Sequence, residues 1–123
     1  MNELIFKDLS YQVMGAAFDV HNTLGAGFLE KVYENALIIS LRERGTACQQ
    51  QAPLKVKFHD QIVGEYYADI LVEEQIILEL KVAEAISDIY QAQAINYLRA
   101  TELKLAIIIN FGKPKIEYKR IVL

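Results

Sequence analysis

The chain has 123 residues, 53% of them hydrophobic and 24% charged, with a formal net charge of −3. That length fits one domain, residues 1–123, able to bury roughly two-thirds of the surface its unfolded chain would expose. A single cysteine, Cys48, excludes an internal disulfide and any cysteine-based metal or redox motif, so it reads as a small buried hydrophobe.

The first residues, Met1-Asn2-Glu3-Leu4, carry an acid where a secretory leader carries Lys or Arg. The longest apolar run, residues 105–109, is far short of the ~20 residues of a membrane span. A soluble, cytoplasmic protein with no membrane partner is expected. The net charge argues mildly against nucleic acid, but its distribution does not. Between Glu65 and Asp88 there are seven acids and one base, Lys81; from Arg99 to Leu123 there are six bases and two acids. The acidic middle can attract a cation and the basic tail a phosphate, although either could be a solvated surface.

In chain order, Leu9, Val13, Ala16, Val20 and Leu24 recur at spacings of three and four, the stripe of an amphipathic helix. It stops at Gly25-Ala26-Gly27. A second helix is expected over residues 28–44, turning Leu29, Val32, Ala36, Leu37 and Leu41 to a core and stopping at Gly45. The period then changes to two. Leu54, Val56 and Phe58 alternate with Lys55 and Lys57, predicting a strand. A turn at His59-Asp60 leads to a second strand over residues 62–72, with Gly64 suggesting a bulge. A third strand covers residues 76–82. Ser87 is a good N-cap for a helix running to about residue 100, and Asp88 suits its first turn. Residues 105–109 are apolar throughout, as in a central strand covered on both faces. Residues 116–122 form an edge strand. The order α-α-β-β-β-α-β-β, with a crossover helix between the third and fourth strands, predicts a mixed sheet with helices packed on it.

The chemistry is concentrated in Ala68-Asp69-Ile70-Leu71-Val72 and Ile76-Ile77-Leu78-Glu79-Leu80-Lys81. Alternation puts Glu79 and Lys81 on one face of their strand. Asp69 joins them only if the turn holds an odd number of residues, as when Val72 pairs with Ile76, or if a bulge restores the phase. Two carboxylates about 4 Å apart repel by about 4 kcal/mol at an effective dielectric near 20, and a divalent cation between them reverses the sign. Hard oxygen donors select Mg²⁺ or Mn²⁺. Lys81 would then orient a water or stabilise charge on the phosphoryl group.

An Asp, then Glu-x-Lys, on adjacent strands resembles the PD-(D/E)XK nuclease superfamily, whose α-β-β-β-α-β core matches the order from the second helix onward. Gly27-Phe28-Leu29-Glu30-Lys31-Val32-Tyr33 is a Gly-x-x-Glu-x-x-Tyr motif, and the chain resembles the bacterial GxxExxY family of that superfamily. The likeness includes Gln93-Ala94-Ile95-Asn96-Tyr97-Leu98 and Ile109-Asn110-Phe111-Gly112 and spans nearly the whole chain. It implies an α/β, restriction-endonuclease-like fold with an extra N-terminal helix and a C-terminal edge strand. It also implies Asp69, Glu79 and Lys81 as catalytic residues, and Glu30, Asp69 and Glu79 as ligands of Mg²⁺ or Mn²⁺. Gln93 and Tyr97, four apart on one helical face, resemble the Gln-x-x-x-Tyr motif of RecB-like nucleases and imply substrate binding. One departure is Tyr90, where relatives often carry histidine.

Structural roles compete with these. Glu30 could be an acid favoured by a helix N-terminus, and Gln93 and Tyr97 a hydrogen-bonded pair. Tyr33 reads as a packing aromatic, and His21 and His59 lie in no metal-spacing motif. Two functions follow. One is a Mg²⁺-dependent nuclease, a hydrolase of DNA or RNA phosphodiester bonds. The other is a non-catalytic nucleic-acid-binding or protein-interaction module that keeps the fold. An exposed sheet edge also leaves room for a homodimer.

Overall fold

The computed structural model describes residues 6–123; residues 1–4, read above for a leader, lie outside them. Three helices pack on a five-stranded mixed sheet. The elements are α1 (Lys7–Leu24), α2 (Glu30–Glu43), β1 (Cys48–Phe58), β2 (Gln61–Val72), β3 (Ile76–Lys81), α3 (Asp88–Thr101), β4 (Leu105–Asn110) and β5 (Glu117–Val122). The strands lie side by side in chain order. β1, β2 and β3 pair antiparallel, β4 runs parallel to β3 through the α3 crossover, and β5 returns antiparallel at the far edge. This is the α/β arrangement expected from the sequence. No described helix is long and apolar enough to cross a membrane.

The sheet divides two cores. On one face α1 and α2 bury Val13, Ala16, Val20, Tyr33, Leu37 and Leu41 against Ile70, Leu78, Leu80, Ile107 and Ile109. On the other, α3 buries Ala94, Tyr97 and Leu98 against Ala68, Ile77, Ala106 and Ile108. Every residue of β4 is buried, as its unbroken apolar run requires.

The second helix departs from its predicted bounds and phase. It begins at Glu30, Leu29 is 80% exposed, and Val32 is exposed as well. The inward stripe is Tyr33, Leu37, Ile38 and Leu41. The cause is Tyr33. Its hydroxyl donates to the Gly25 carbonyl at 2.6 Å and accepts the Phe28 amide at 3.2 Å, and its ring stacks on Phe111 with centroids 4.7 Å apart. Holding the connector this way needs left-handed backbone at Gly25 (φ 72°) and Gly27 (φ 114°), which glycine supplies. Gly25, together with Gly27 and Tyr33 of the motif, therefore forms a staple that fixes where α2 starts, and with it the position of Glu30.

The first strand is also longer than predicted, reaching back to Cys48. Residues 48–53 read Cys-Gln-Gln-Gln-Ala-Pro and carry no alternating apolar signal. Their partners on β2 supply it instead, and Pro53 is tolerated because β1 is an edge strand. A bulge does occur beside Gly64: Val56 faces Gly64 and Lys57 faces Ile62, which leaves Val63 as the extra residue. Ser87 caps α3, its hydroxyl accepting the Tyr90 amide at 3.3 Å.

Candidate active site

The three residues between β2 and β3 decide the site. Val72 pairs with Ile76 and Ile70 with Leu78, so Glu73, Glu74 and Gln75 form the connection. Such a tight loop needs left-handed backbone at Glu73 (φ 51°) and Glu74 (φ 55°). The Glu73 carboxylate offsets part of that strain by accepting the Ala47 amide at 2.8 Å. This odd count puts Asp69 opposite Glu79, on one side of the hairpin.

The paired ladder ends at Ile70 and Leu78. Beyond it the carboxylates take over. Glu79 Oε2 accepts the Asp69 amide at 3.1 Å, and Asp69 Oδ2 accepts the Leu80 amide at 2.7 Å. Each side chain thus satisfies a backbone donor that regular pairing would have used. The regular pairing stops here, beside the buried Glu79 and the partly buried Asp69.

β1 changes course at the same level. Cys48, Ile70 and Val72 pack with the α1/α2 core, whereas Ala52, Leu54 and Ala68 pack with the α3 core. Strict alternation would put all six on one face. The pivot is Gln51, held at φ 51° between the Gln50–Ile70 and Ala52–Ala68 pairs. Its amide donates to Glu34 at 2.9 Å and also hydrogen-bonds Asp69. Glu34 is 4% exposed and further accepts from Gln50 and, at 2.8 Å, from Lys31. Gln51 and Glu34 were missed in the sequence. Their only trace there is an acid one helical turn after Glu30, on the α2 face that meets β1.

The electrostatics show how crowded the acids are. Burial, then the nearby Asp69 carboxylate, pushes Glu79 up to about 8. Asp69 is raised by burial, against the pull of the Leu80 amide. Glu30, in the first turn of α2, is raised by burial and then by Asp69, while Lys81 and the Val82 amide pull it down. Glu30 therefore shares the field of both Asp69 and Lys81. Lys81 Nζ sits 4.5 Å from the Tyr90 ring centroid, a cation–π contact.

Tyr97 is 7% exposed, and burial, then Glu79 and Asp69, raises its hydroxyl. It stands beside the acids, with its ring 5.7 Å from that of Tyr66. Gln93, one turn earlier, is exposed on the groove that Tyr97 lines. Tyr97 and Gln93 make no hydrogen-bonded pair of the kind considered above. His21 is a structural residue, its Nε2 bonding the Lys113 carbonyl at 2.9 Å, and His59 stacks on Phe58 in the exposed hairpin tip.

The donors suit a hard cation. They are carboxylate oxygens, and burial, then the Asp69 carboxylate, raises Glu79 to about 8 against the pull of Lys81, so an added cation would favour its ionised form. Among the described residues no three His, Cys, Asp or Glu side chains form a closed metal cage. Mg²⁺ does not require one, since it is commonly held by one or two carboxylates with waters and substrate phosphates completing the set.

The fold has a solved counterpart in the crystal structure of SSO0001, with a TM-score of 0.59 at 13% identity, over 76% of this chain and 50% of that one. The chain thus spans about half the length of that protein. No curated protein matches the sequence. Residues 7–121 match the PD-(D/E)XK nuclease superfamily, which covers all three helices and the sheet as far as Ile121 in β5. An Asp and a Glu-x-Lys facing each other across adjacent strands, on a sheet of this order, belong with that match: the chain is a member of the PD-(D/E)XK nuclease superfamily.

Proposed function

We propose that residues 1–123 form one Mg²⁺- or Mn²⁺-dependent nuclease domain of the GxxExxY family, hydrolysing phosphodiester bonds of DNA or RNA in the cytoplasm. The observation that carries this reading is the register of β2 and β3, which sets Asp69 opposite Glu79 on the side from which Lys81 projects. Asp69 and Glu79 would hold the cation, and Glu30, which feels the charge of Asp69, would join them as the family resemblance implies. When bound, that ion supplies Lewis-acid polarisation of the phosphate and a water of lowered pKa.

The chain's own residues do the rest. The Leu80 and Asp69 amides lock the two carboxylates in place, so little reorganisation is needed. Lys81, confined by Tyr90, offers an ammonium to the charge that builds on the phosphoryl oxygens. Attack by water displaces the leaving oxygen directly, with no covalent intermediate. Tyr97 and Gln93 would contact the substrate alongside.

Cleavage of single- and double-stranded DNA and RNA, with and without Mg²⁺ or Mn²⁺, tests this. Alanine at Asp69, Glu79 or Lys81 should abolish cleavage and preserve the fold. Full activity in all three variants would refute it.

A second reading is a non-catalytic binding module. It is favoured by the amides that already occupy both carboxylates. Absence of any Mn²⁺-induced rise in melting temperature, together with absence of cleavage, would select it. The unpaired edge of β1 could additionally pair with a second copy of the chain, which sedimentation would detect.

A further inference from the structure

We propose that Gln51 is a positioning residue of the acidic site: its side-chain amide ties the Asp69 carboxylate to Glu34 on α2 and so sets how tightly the site takes a divalent cation. The proposal rests on the nuclease reading for the cation, and on the geometry of β1 for the tie.

Gln51 stands where a regular ladder would face it with Asp69, between the Gln50–Ile70 and Ala52–Ala68 pairs. Its backbone turns left-handed instead, at φ 51°. A residue with a side chain adopts that conformation at a cost, which persists where the surroundings over-determine it. Here the side chain supplies the constraint. A glutamine amide carries two N–H donors on one nitrogen, whereas an ionised carboxylate only accepts. Gln51 Nε2 donates to Glu34 Oε1 at 2.9 Å, and the same amide hydrogen-bonds Asp69. One neutral group thus spans two acids that repel each other.

The far end of this strut is well anchored. Glu34 is 4% exposed and accepts from Lys31 at 2.8 Å and from Gln50. It lies one turn after Glu30, on the same face of α2. At the near end, Asp69 Oδ2 accepts the Leu80 amide at 2.7 Å. Gln51 therefore braces the strand that carries Asp69 against the helix that carries Glu30.

Docking of β1 on α2 does not by itself call for Gln51. Gln50 Nε2 already donates to Glu34 and, at 2.7 Å, to Asn35. It does so from a paired position with no left-handed backbone. What Gln51 adds is the bond to Asp69. Hydrogen-bond partners of a ligating carboxylate typically change metal affinity by roughly 10- to 100-fold.

The test is calorimetric titration of the whole chain with Mn²⁺ and no nucleic acid. Gln51→Gly separates the roles, because glycine takes left-handed backbone freely and only the side chain is lost. It should keep a melting temperature in EDTA close to wild type and bind Mn²⁺ roughly 10- to 100-fold more weakly. Gln51→Asn tolerates the same backbone but is one methylene short of spanning both acids, so it should lose affinity too. Gln50→Ala should do the reverse, lowering the melting temperature and sparing Mn²⁺ affinity. In the metal-free chain the magnetic resonance of the Leu80 amide proton reports on the Asp69 oxygen it binds, and should move upfield in Gln51→Gly. Where cleavage is measured, raising Mn²⁺ should restore the rate of Gln51→Gly.

Wild-type Mn²⁺ affinity and an unmoved Leu80 amide in folded Gln51→Gly would overturn the proposal. A lowered melting temperature with wild-type affinity would do so too, and would make Gln51 a strand anchor. The nuclease reading fails separately. A wild-type chain that neither binds Mn²⁺ nor cleaves would end that reading, while a shifted Leu80 amide in Gln51→Gly would still uphold the tie to Asp69.

Discussion

Asp69 and Glu79 hold each other's strands: the Glu79 carboxylate accepts the Asp69 amide at 3.1 Å, and the Asp69 carboxylate accepts the Leu80 amide at 2.7 Å. The arrangement is geometrically rigid and electrostatically unfavourable, because both acids are raised by burial and Glu79 also by Asp69. Function and stability should therefore oppose each other at Glu79.

Glu79→Gln separates the two. The glutamine oxygen can still accept the Asp69 amide, but the side chain cannot ionise. The folded wild type has Glu79 near 8, against 4.5 unfolded. Between those values the unfolded chain releases a proton that the folded chain keeps, so wild-type stability falls as pH rises through the window. The variant lacks that loss. Its advantage in urea unfolding without divalent cation should be near zero at pH 4.5 and reach roughly 2–4 kcal/mol by pH 8, while cleavage disappears. A variant less stable than wild type at pH 8 would contradict the raised carboxyl.

The same proton should compete with a metal ion. Binding requires the ionised carboxylate and so releases the proton. The rise in melting temperature produced by saturating Mn²⁺ should be larger at pH 8 than at pH 6, reaching roughly 5–10 °C for a chain of this size. It should vanish in Asp69→Asn combined with Glu79→Gln. An equal rise at both pH values would place the ion elsewhere.

Lys81 and Tyr90 make a third case. The ring holds the ammonium through its face, at 4.5 Å, and needs no hydroxyl to do so. Tyr90→Phe should keep near wild-type cleavage. Tyr90→Leu removes a contact worth about 0.5–2 kcal/mol and should lower kcat by roughly 3- to 30-fold with little change in KM. A large loss in Tyr90→Phe would assign the hydroxyl a role of its own.

Which parts of this were legible in the sequence follows from the kind of signal each carries. α1 and β4 bury a whole stripe or run, so apolar patterning located them to within two residues, and the Ser87 cap did the same for α3. The face shared by Asp69 and Glu79 hung on loop parity, and three residues between Val72 and Ile76 supplied the odd count. The start of α2 was misplaced because Tyr33 is fixed by a hydrogen bond to Gly25, not by apolar period. Gln51 and Glu34 were invisible for a related reason. A glutamine in left-handed conformation inside a strand has no propensity signal, and its partner lies 17 positions away on a helix.

Glu34 gives a stability prediction. It is buried and accepts from Gln50, Gln51 and Lys31, the first two from the edge strand. Glu34→Ala removes the acceptor those donors share and releases the pivot beside Asp69. Unfolding free energy should drop by roughly 1–3 kcal/mol, and cleavage should fall further than the lost folded fraction explains. Unchanged activity in the folded variant would reduce Glu34 to a packing residue.

The Asn110-Phe111-Gly112 run clamps the chain just after Lys81. Asn110, fully buried at the end of β4, accepts the amides of Ala83 and Gly112 at 3.0 Å each and donates to the Ala83 carbonyl at 2.9 Å and to Glu117 at 3.1 Å. The Phe111 amide extends the ladder to the Lys81 carbonyl at 2.9 Å. This draws Gly112 so near Ala83 that a Cβ there would lie 2.7 Å from the Ala83 nitrogen and 2.9 Å from its oxygen. Both atoms are backbone and cannot rotate aside. Gly112→Ala must therefore push residues 82–83 away from β4, at a cost of roughly 1–3 kcal/mol. Because the displaced segment begins one residue after Lys81, the ammonium should lose its seat on Tyr90. Cleavage should then fall more than in a surface control such as Lys115→Ala, and a Gly112→Ala protein with wild-type melting temperature and kcat would show that the clamp is slack.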